Sequence, residues 1–211
     1  MFLRLISPFV LYFFNLKIVF EYNKKGNRIK ESRYGVFDYL LRVYKFKYDE
    51  FDNQIVKEWY DSNGNLNRKF IYSYDKKKNR TESNWHNSDG KLNDKTKYSY
   101  DNNDNLIEEK SYNSTGEIYS KKTYKYNEND DVIEKKWYGP TGNLGSRLTF
   151  KYDKNGNITE EKRYNSEDDS QLKYTFKYEY EYDFNNNWIK MIKYENNTPT
   201  YILLREYNYF K

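Results

Sequence analysis

The residue types that most enzymes use for catalysis are scarce in this chain. Its 211 residues include a single His and no Cys. Disulfides, thiolate nucleophiles, zinc sites made of Cys and His, and a conventional Ser-His-Asp triad are thereby excluded together. The one histidine, His86, occupies a position that holds tyrosine in other copies of an internal repeat, at Tyr60, Tyr112 and Tyr138. This position indicates a packing aromatic residue and not a catalytic base.

Adjacent carboxylates are the remaining candidates for acid-base chemistry. Glycosidases use two carboxyl groups at a fixed separation, one of them with a raised pKa. Neighbouring residues of a strand point to opposite faces, and two of the candidate glutamates recur at one repeat position together with Glu82 and Glu134. The sequence therefore predicts that the protein is not an enzyme and has no catalytic residue and no cofactor, despite the pairs Glu108-Glu109, Glu160-Glu161 and Asp168-Asp169.

Oxygen-rich loops raise the question of a calcium site. Residues 101–105 and 153–157 are rich in Asp and Asn, and calcium prefers oxygen ligands. Turn formation alone accounts for these residues, and the chain has no twelve-residue loop ending in Glu. We therefore predict no metal site.

A repeat of 26 residues organises the chain. Each copy has two turn signals, Asp-x-x-x-Asn and Asn-x-x-Gly, separated by segments that are too short for helices and rich in Tyr, Ile, Thr and Trp. The sequence predicts an all-β fold, an antiparallel meander of seven two-stranded repeats that forms a long twisted or curled sheet. The aromatic-x-aromatic units that mark the copies begin at Phe20, Phe46, Tyr72, Tyr98, Tyr124, Phe150 and, after a lengthened copy, Tyr180.

The core of this sheet must be aromatic, because Tyr, Phe and Trp number 26, 13 and 4. Strand alternation puts Phe70 and Tyr72 on one face and Lys69 on the other. Counting outward from the turn at residues 75–79 sets Lys69 opposite Trp85, and the same count sets Lys121 opposite Trp137, which predicts a ladder of Lys over Trp on the second face. The predicted ligand-facing residues are Trp59, Trp85, Trp137, Lys69, Lys95, Lys97, Lys121 and Lys125.

The charge balance leaves two classes of partner open. The net charge is +5, from 37 basic and 32 acidic residues, and this mild excess permits an anionic partner without requiring one. The first hypothesis is a binding or scaffold protein that recognises a protein or a glycan through the sheet surface, with self-association through sheet edges as a further possibility. The alternative is a salt-sensitive binder of nucleic acid or another anionic polymer, using Lys47, Lys69, Lys95, Lys97, Lys121, Lys125 and Lys151.

The N-terminal residues 1–13 are apolar with one basic residue and resemble the front of a secretion signal. They lack a small-x-small cleavage site and are too short to span a membrane. A cap on the first hairpin, a degenerate signal and a wrongly chosen start codon are all open. We expect a single β-repeat domain over residues 14–211, no transmembrane span, and a secreted or cell-envelope location in preference to the cytoplasm.

A Tyr/Phe-x-Tyr-Asp frame followed by Asn recurs in phase, and through it the chain resembles the YD repeats of RHS-type bacterial surface and toxin proteins. The resemblance covers roughly residues 14–209, although Tyr22 and Tyr126 are followed by Asn and the period is longer than is usual in the family. The Gly-x-Leu and Tyr-Asn pieces are also similar to bacterial MORN-like repeat proteins. Both resemblances imply a curled β scaffold without enzymatic activity. The frame is found at Tyr48-Asp49, Tyr74-Asp75, Tyr100-Asp101, Tyr152-Asp153 and Tyr182-Asp183.

Overall fold

The computed structural model describes residues 16–165 and 171–209. The N-terminal segment 1–13 and the pair Asp168-Asp169 lie outside the described residues. Within them the chain forms strands almost throughout, with one short 3-10 turn at Val36–Asp38. The strands are β1 (Lys17–Tyr22), β2 (Arg28–Tyr34), β3 (Leu40–Tyr48), β4 (Gln54–Tyr60), β5 (Leu66–Tyr74), β6 (Arg80–His86), β7 (Leu92–Tyr100), β8 (Leu106–Asn113), β9 (Ile118–Tyr126), β10 (Val132–Tyr138), β11 (Leu144–Tyr152), β12 (Ile158–Tyr164), β13 (Leu172–Tyr182), β14 (Trp188–Glu195) and β15 (Thr198–Leu204).

The strands form one sheet in which spatial order equals chain order, from β1 to β15. Consecutive strands pair in antiparallel fashion, as β3 does with β4 and β4 with β5. The predicted all-β antiparallel meander is confirmed. Its period agrees with the sequence, since β5, β7, β9 and β11 begin 26 residues apart, at Leu66, Leu92, Ile118 and Leu144.

Contacts within the chain separate two units. One comprises residues 1–97 with 112–116, and the other comprises residues 98–111 with 117–211. The first unit holds β1 to β6 and most of β7. The second holds β9 to β15 and most of β8.

The pairing register departs from the one that simple counting predicts. Tyr74 does lie opposite Arg80 as expected, but Ser73 then pairs with Glu82, so one residue of β6 has no partner. This β-bulge shifts all the pairs that follow. Lys69 therefore pairs with His86, and the prediction that it lies opposite Trp85 is wrong.

The same irregularity displaces the partners of β10. Lys121 pairs with Tyr138, while Trp137 pairs with Lys122, so the predicted pair of Lys121 and Trp137 is also wrong. A shift of one residue moves a side chain to the other side of the sheet, so the bulge changes the predicted face of every residue beyond it. The tryptophans share a face with the Phe and Tyr stripe and not with the predicted lysines.

Each unit accordingly has an aromatic face and a lysine face, which we define by residues that share a face through alternation and pairing. The aromatic face carries Phe46, Trp59, Phe70, Tyr72 and Trp85 in the first unit and Tyr124, Trp137, Leu148, Phe150 and Arg163 in the second. The lysine face carries Glu58, Lys69, Glu82, Lys95 and Lys97 in the first unit and Lys121, Lys125, Glu134, Lys151 and Glu160 in the second.

The described sheet has very little fully buried core. Phe46 and Leu148 are the buried hydrophobic residues of the described chain, at 6% and 7% exposure. Most strand residues, including the tryptophans, are only partly buried. Rings therefore stabilise this fold by covering one another along a face, as Phe70 and Tyr72 do with centroids 6.4 Å apart.

The turns explain why Asp recurs in the Tyr-Asp pairs. Asp49 Oδ1 accepts hydrogen bonds from the backbone N–H groups of Phe51 and Asn53, at 3.0 and 2.8 Å. Its carboxylate thus closes the five-residue turn while Asp52 adopts a left-handed φ of 66°. Asn127 makes the same two bonds with its amide oxygen, so Asn can replace Asp in this frame.

The tyrosine of the pair links neighbouring hairpins. The Tyr48 hydroxyl donates to the Arg28 carbonyl at 2.9 Å, and Tyr152 donates to the Val132 carbonyl at 2.8 Å. Burial raises the pKa of both hydroxyls, so they stay protonated donors at neutral pH. In the lengthened copy Tyr180 takes over this bond, to the Ile158 carbonyl.

The turn carboxylates are expected to make the free energy of unfolding depend on pH. Hydrogen bonds from Asn65 lower the pKa of Asp61, and those from Asn53 lower the pKa of Asp49. A folded-state pKa below the unfolded value of about 3.9 gives stabilisation that is present above that pH and is lost as the pH falls through the folded pKa. The urea midpoint measured by circular dichroism is therefore expected to fall between about pH 5 and pH 2.

An Asp61→Asn variant is expected to show a shallower loss over the same range while folding normally at pH 7. Asn is compatible with the turn, because Asn87 accepts hydrogen bonds from the N–H groups of Asp89 and Lys91 at 3.1 and 3.0 Å. The reciprocal variant Asn87→Asp should steepen the loss. Identical pH profiles for the two variants would show that these carboxylates do not govern acid stability.

Candidate binding surfaces

The predicted lysines lie next to carboxylates on the lysine face. Lys69 Nζ is 3.5 Å from Glu58, and Lys95 Nζ is 3.6 Å from Glu82. In the second unit, Lys125 Nζ is 3.2 Å from Glu134. Alternating charges of this kind weaken the positive potential that a polyanion track requires.

Two further lysines lie over tyrosine rings. Lys121 Nζ is 4.3 Å from the centroid of Tyr138, and Lys97 Nζ is 5.9 Å from that of Tyr112. For Lys121, the cation-π contact predicted over Trp137 is thus found over Tyr138, the residue that the bulge brings opposite it. Such contacts are worth about 0.5–1 kcal/mol at exposed sites.

Lys95 and Lys97 also share a shallow cavity of about 320 Å³ with Tyr112 and the turn at residues 113–116. It is the place where the structure brings two of the predicted binding lysines together. An anion could sit between the two ammonium groups, although Lys95 already contacts Glu82.

In the described pair Glu108-Glu109 the two carboxylates contact different partners. Glu109 accepts from the Tyr124 hydroxyl at 2.6 Å, whereas Glu108 lies 2.7 Å from Lys110 Nζ. Burial raises the pKa of Glu160, but Lys151 and Lys162 outweigh that effect and the net direction is down. A general acid needs the opposite direction.

His86 lies on the lysine face between Lys69 and Leu92, which are its partners on the adjacent strands. It is partly buried and its Nδ1 has no hydrogen-bond partner. This is the tyrosine position of other repeats, occupied here by a smaller ring.

No cluster of three or more His, Asp or Glu residues suited to a metal ion occurs in residues 16–165 and 171–209. The Asp153 carboxylate is engaged by its own turn, through the N–H groups of Asn155 and Asn157 at 2.8 and 2.9 Å. Over the same residues, no helix has the length and apolar character needed to cross a membrane.

Arginine side chains cover the first two tryptophans of the aromatic face. The guanidinium groups of Arg42 and Arg68 lie 5.5 and 5.2 Å from the Trp59 ring, and Arg68 lies 4.9 Å from the Trp85 ring. Both indole N–H groups are buried without an acceptor. Trp59, predicted as ligand-facing, is therefore packed between two cationic side chains, and Trp85, also predicted as ligand-facing, has one guanidinium group over its ring.

Trp137 has different surroundings. It borders a shallow cavity of about 400 Å³, a size within the usual range for small-molecule sites. In the described part of the second unit no Lys or Arg covers its ring as Arg68 covers Trp59. The side chains and backbone around it belong to Ser120, Gly145, Ser146, Leu148 and Arg163.

The predicted binding residues thus divide between the two faces. The three tryptophans lie on the aromatic face, and Lys69, Lys95, Lys97, Lys121 and Lys125 lie on the lysine face. Sequence reasoning did not find Ser120, Ser146 or Arg163. Aligning the repeats gives the signal, because serines stand in the second unit where Arg42 and Arg68 stand in the first.

No family model matches the chain, and no curated protein matches it. Among solved structures, the crystal structure of TcdB2-TccC3 aligns with 84% of this chain at 13% identity and a TM-score of 0.43. The chain spans only 12% of that structure's chain. A porin-like protein from Bacteroides uniformis ATCC 8492 aligns over 89% of this chain and 88% of its own, at 13% identity and a TM-score of 0.49. Likeness at this level assigns neither a family nor an activity.

Proposed function

We propose that this chain is a non-enzymatic β-repeat binding or scaffold protein that recognises its partner through an extended sheet surface. The openness of both sheet faces is the observation that carries the proposal. In the described chain only Phe46 and Leu148 are buried hydrophobic residues. Large ring surfaces thus remain in contact with solvent, and exposed apolar surface of this kind is typical of interaction sites.

Repetition of the polar groups supports a structural role for most of them. Carboxylates at equivalent positions, such as Glu82, Glu134 and Glu160, each have a lysine partner. Groups that recur in this way stabilise the sheet in every copy. Recognition must then depend on positions where the copies differ.

A glycan is the favoured partner, with a protein as the second possibility. The apolar face of a sugar ring packs against a flat aromatic face by dispersion, and its hydroxyls remain available for polar neighbours. Half-exposed rings flanked by Ser and Lys provide both kinds of contact. The resemblance to YD repeats supports a place at the cell surface or in a toxin-associated system, and we include a secreted or cell-envelope location in the proposal.

A nucleic-acid binder remains the alternative, and the cavity between Lys95 and Lys97 is the observation in its favour. The ion pairs of Lys69, Lys95 and Lys125 weigh against it. A lysine that is already neutralised releases few counterions when a phosphate replaces its carboxylate.

A binding panel at two salt concentrations tests the proposal. The full chain is expected to bind members of a glycan array with affinities that change less than about threefold between 50 and 200 mM salt, because stacking is not a counterion-release process. Binding to single-stranded DNA or RNA that falls by about 10³-fold over that range would overturn it.

A lysine-face variant supplies the control. Lys97→Glu combined with Lys121→Glu reverses two charges that have no carboxylate within ion-pair distance in the described chain. Glycan affinity should be unchanged in this variant, and nucleic-acid affinity should fall if the alternative is right.

A further inference from the structure

We propose that the cavity at Trp137 is a binding site for an acidic sugar, with the sugar ring stacked on the indole and its carboxylate directed to Arg163. The inference rests on the proposed function and specifies where and what the sheet binds. The repeat copies provide internal references for one another, because equivalent positions are separated by whole periods of 26 residues.

The partly buried Trp137 ring has serines at the two positions from which arginines cover Trp59. Trp59 and Trp137 are related by three repeat periods of 26 residues, and so are Arg42 and Ser120, and Arg68 and Ser146. The pairing is equivalent too, since Trp59 pairs with Arg68 and Trp137 with Ser146. At both positions where a guanidinium group flanks Trp59, the copy that contains Trp137 therefore has a serine hydroxyl.

The bulge beside Trp137 opens the cavity further. Trp137 pairs with Ser146 and Tyr138 pairs with Leu144, which leaves Gly145 as the extra residue. In the equivalent hairpins of the first unit the extra residue is Asn67 or Asn93. Gly145 presents no side chain to this space, and an added Cβ would lie 3.4 Å from the Trp137 carbonyl oxygen.

The lining suits a pyranose ring. The indole and the buried Leu148 side chain provide apolar contact, and Leu148 is only 7% exposed. Ser120 and Ser146 place hydroxyl groups beside the ring, which can donate to or accept from sugar hydroxyls. Sites of this composition, mostly apolar with a few convergent polar groups, are typical of small-ligand recognition.

Arg163 gives the site its charge preference. It pairs with Leu148 across the sheet, lines the cavity and is exposed. Within residues 16–165 and 171–209 it has no ion-pair partner, unlike Arg147 on the other face, which lies near Glu134. A planar guanidinium can bind a carboxylate through two parallel hydrogen bonds. The carboxylate of an acidic sugar can therefore bind the Arg163 guanidinium.

The test uses oligosaccharides of galacturonate, glucuronate and sialate units, each beside its carboxyl-reduced counterpart. Affinity is measured by isothermal titration calorimetry with the full chain. Trp137→Ala and Ser146→Arg are each expected to weaken binding of the acidic member by at least ~10-fold. Ser146→Arg reproduces at Trp137 the arrangement at Trp59, where Arg68 covers the ring. It therefore blocks the site without truncating a side chain that packs in the sheet.

Arg163→Gln separates charge recognition from stacking. This variant is expected to lower the affinity for the acidic oligosaccharide ~10-fold and to change the affinity for its carboxyl-reduced counterpart less than about twofold. Ser73→Arg is the matched control for Ser146→Arg, because Ser73 is an exposed strand serine on the lysine face, opposite Glu82. It should leave the affinity unchanged.

The outcomes separate this inference from the proposed function. Glycan binding that is unaffected by Ser146→Arg and Trp137→Ala would overturn the Trp137 site and leave the sheet as a glycan binder elsewhere. If Arg163→Gln lowers the affinities for the acidic oligosaccharide and for its carboxyl-reduced counterpart equally, the proposed preference for an acidic sugar is overturned. A chain that binds no oligosaccharide of the panel or of the wider glycan array would overturn the site and the proposed glycan function together.

Discussion

Replacement of Glu31 by Gln is expected to lower the free energy of unfolding by about 2–3 kcal/mol. Glu31 is 5% exposed. Its two carboxylate oxygens lie 2.8 Å from Arg28 Nη1 and 2.7 Å from Arg33 Nε. Removing the charge leaves two guanidinium groups beside a neutral amide, and breaking a buried pair costs more than its formation gains.

The size of the effect follows from partial exposure of the partners. The Arg28 and Arg33 side chains are 41% and 38% exposed, so water can solvate them in part after the change. The loss is therefore placed below the about 3–5 kcal/mol found when one partner of a fully buried pair is removed. Urea denaturation at pH 7, followed by circular dichroism, measures it.

Glu21→Gln is the matched control for the same chemical change. Glu21 contacts Lys30 at 2.7 Å, with side chains 52% and 36% exposed. Exposed pairs of this kind contribute about 0–1 kcal/mol. Losses of equal size in the two variants would show that the Arg28–Glu31–Arg33 cluster is energetically a surface ion pair.

The sequence predicts the meander well because its determinants are local. A turn such as the one at Asp49 and Asn53 is fixed by hydrogen bonds within five residues, so the Asp-x-x-x-Asn spacing identifies it without knowledge of distant contacts. Tyr48 acts over a longer range, bonding to Arg28. Its recurrence at a constant period still makes this role visible in the chain.

The face assignment failed because a bulge is a pairing property and not a property of one strand. The predicted register assumed one residue opposite one residue from the turn outward, and the extra residue in the second strand of each hairpin breaks that count. A signal exists nevertheless. Six described hairpins are closed by the turn that follows a Tyr-Asp or Tyr-Asn pair and have a defined register, and in each of them the extra residue is β-branched. These residues are Ile29, Ile55, Thr81, Ile133, Thr159 and Ile189.

The candidate site depended on the same error. The choice of Trp137 as a ligand-facing residue stays a prediction, but the cross-strand partner predicted for it, Lys121, is wrong. Once Trp137 is paired with Ser146, the alignment with Trp59 and Arg68 follows from the repeat alone. Arg163 cannot be identified from the sequence before the pairing register is known, because its position beside the cavity depends on its pairing with Leu148.

Phe46→Ala is expected to cost about 3–4 kcal/mol, the larger of the two effects. Phe46 is 6% exposed, and in a sheet with so few buried side chains no neighbouring layer can move in to fill the space. The cost therefore includes both the lost apolar burial and the cavity. Phe51→Ala is the control, since Phe51 is 60% exposed in a turn, and it should change stability by less than about 0.5 kcal/mol.

The two variants share a neighbour, and this makes their combination informative. The Arg28 guanidinium lies 4.8 Å from the Phe46 ring and 2.8 Å from Glu31. Loss of the carboxylate should let Arg28 turn toward solvent, and part of the ring's packing is then already lost. The double variant is expected to be less unstable than the sum of the single variants by about 0.5–1 kcal/mol. Additivity within about 0.3 kcal/mol would mean that Arg28 packs on Phe46 independently of its ion pair.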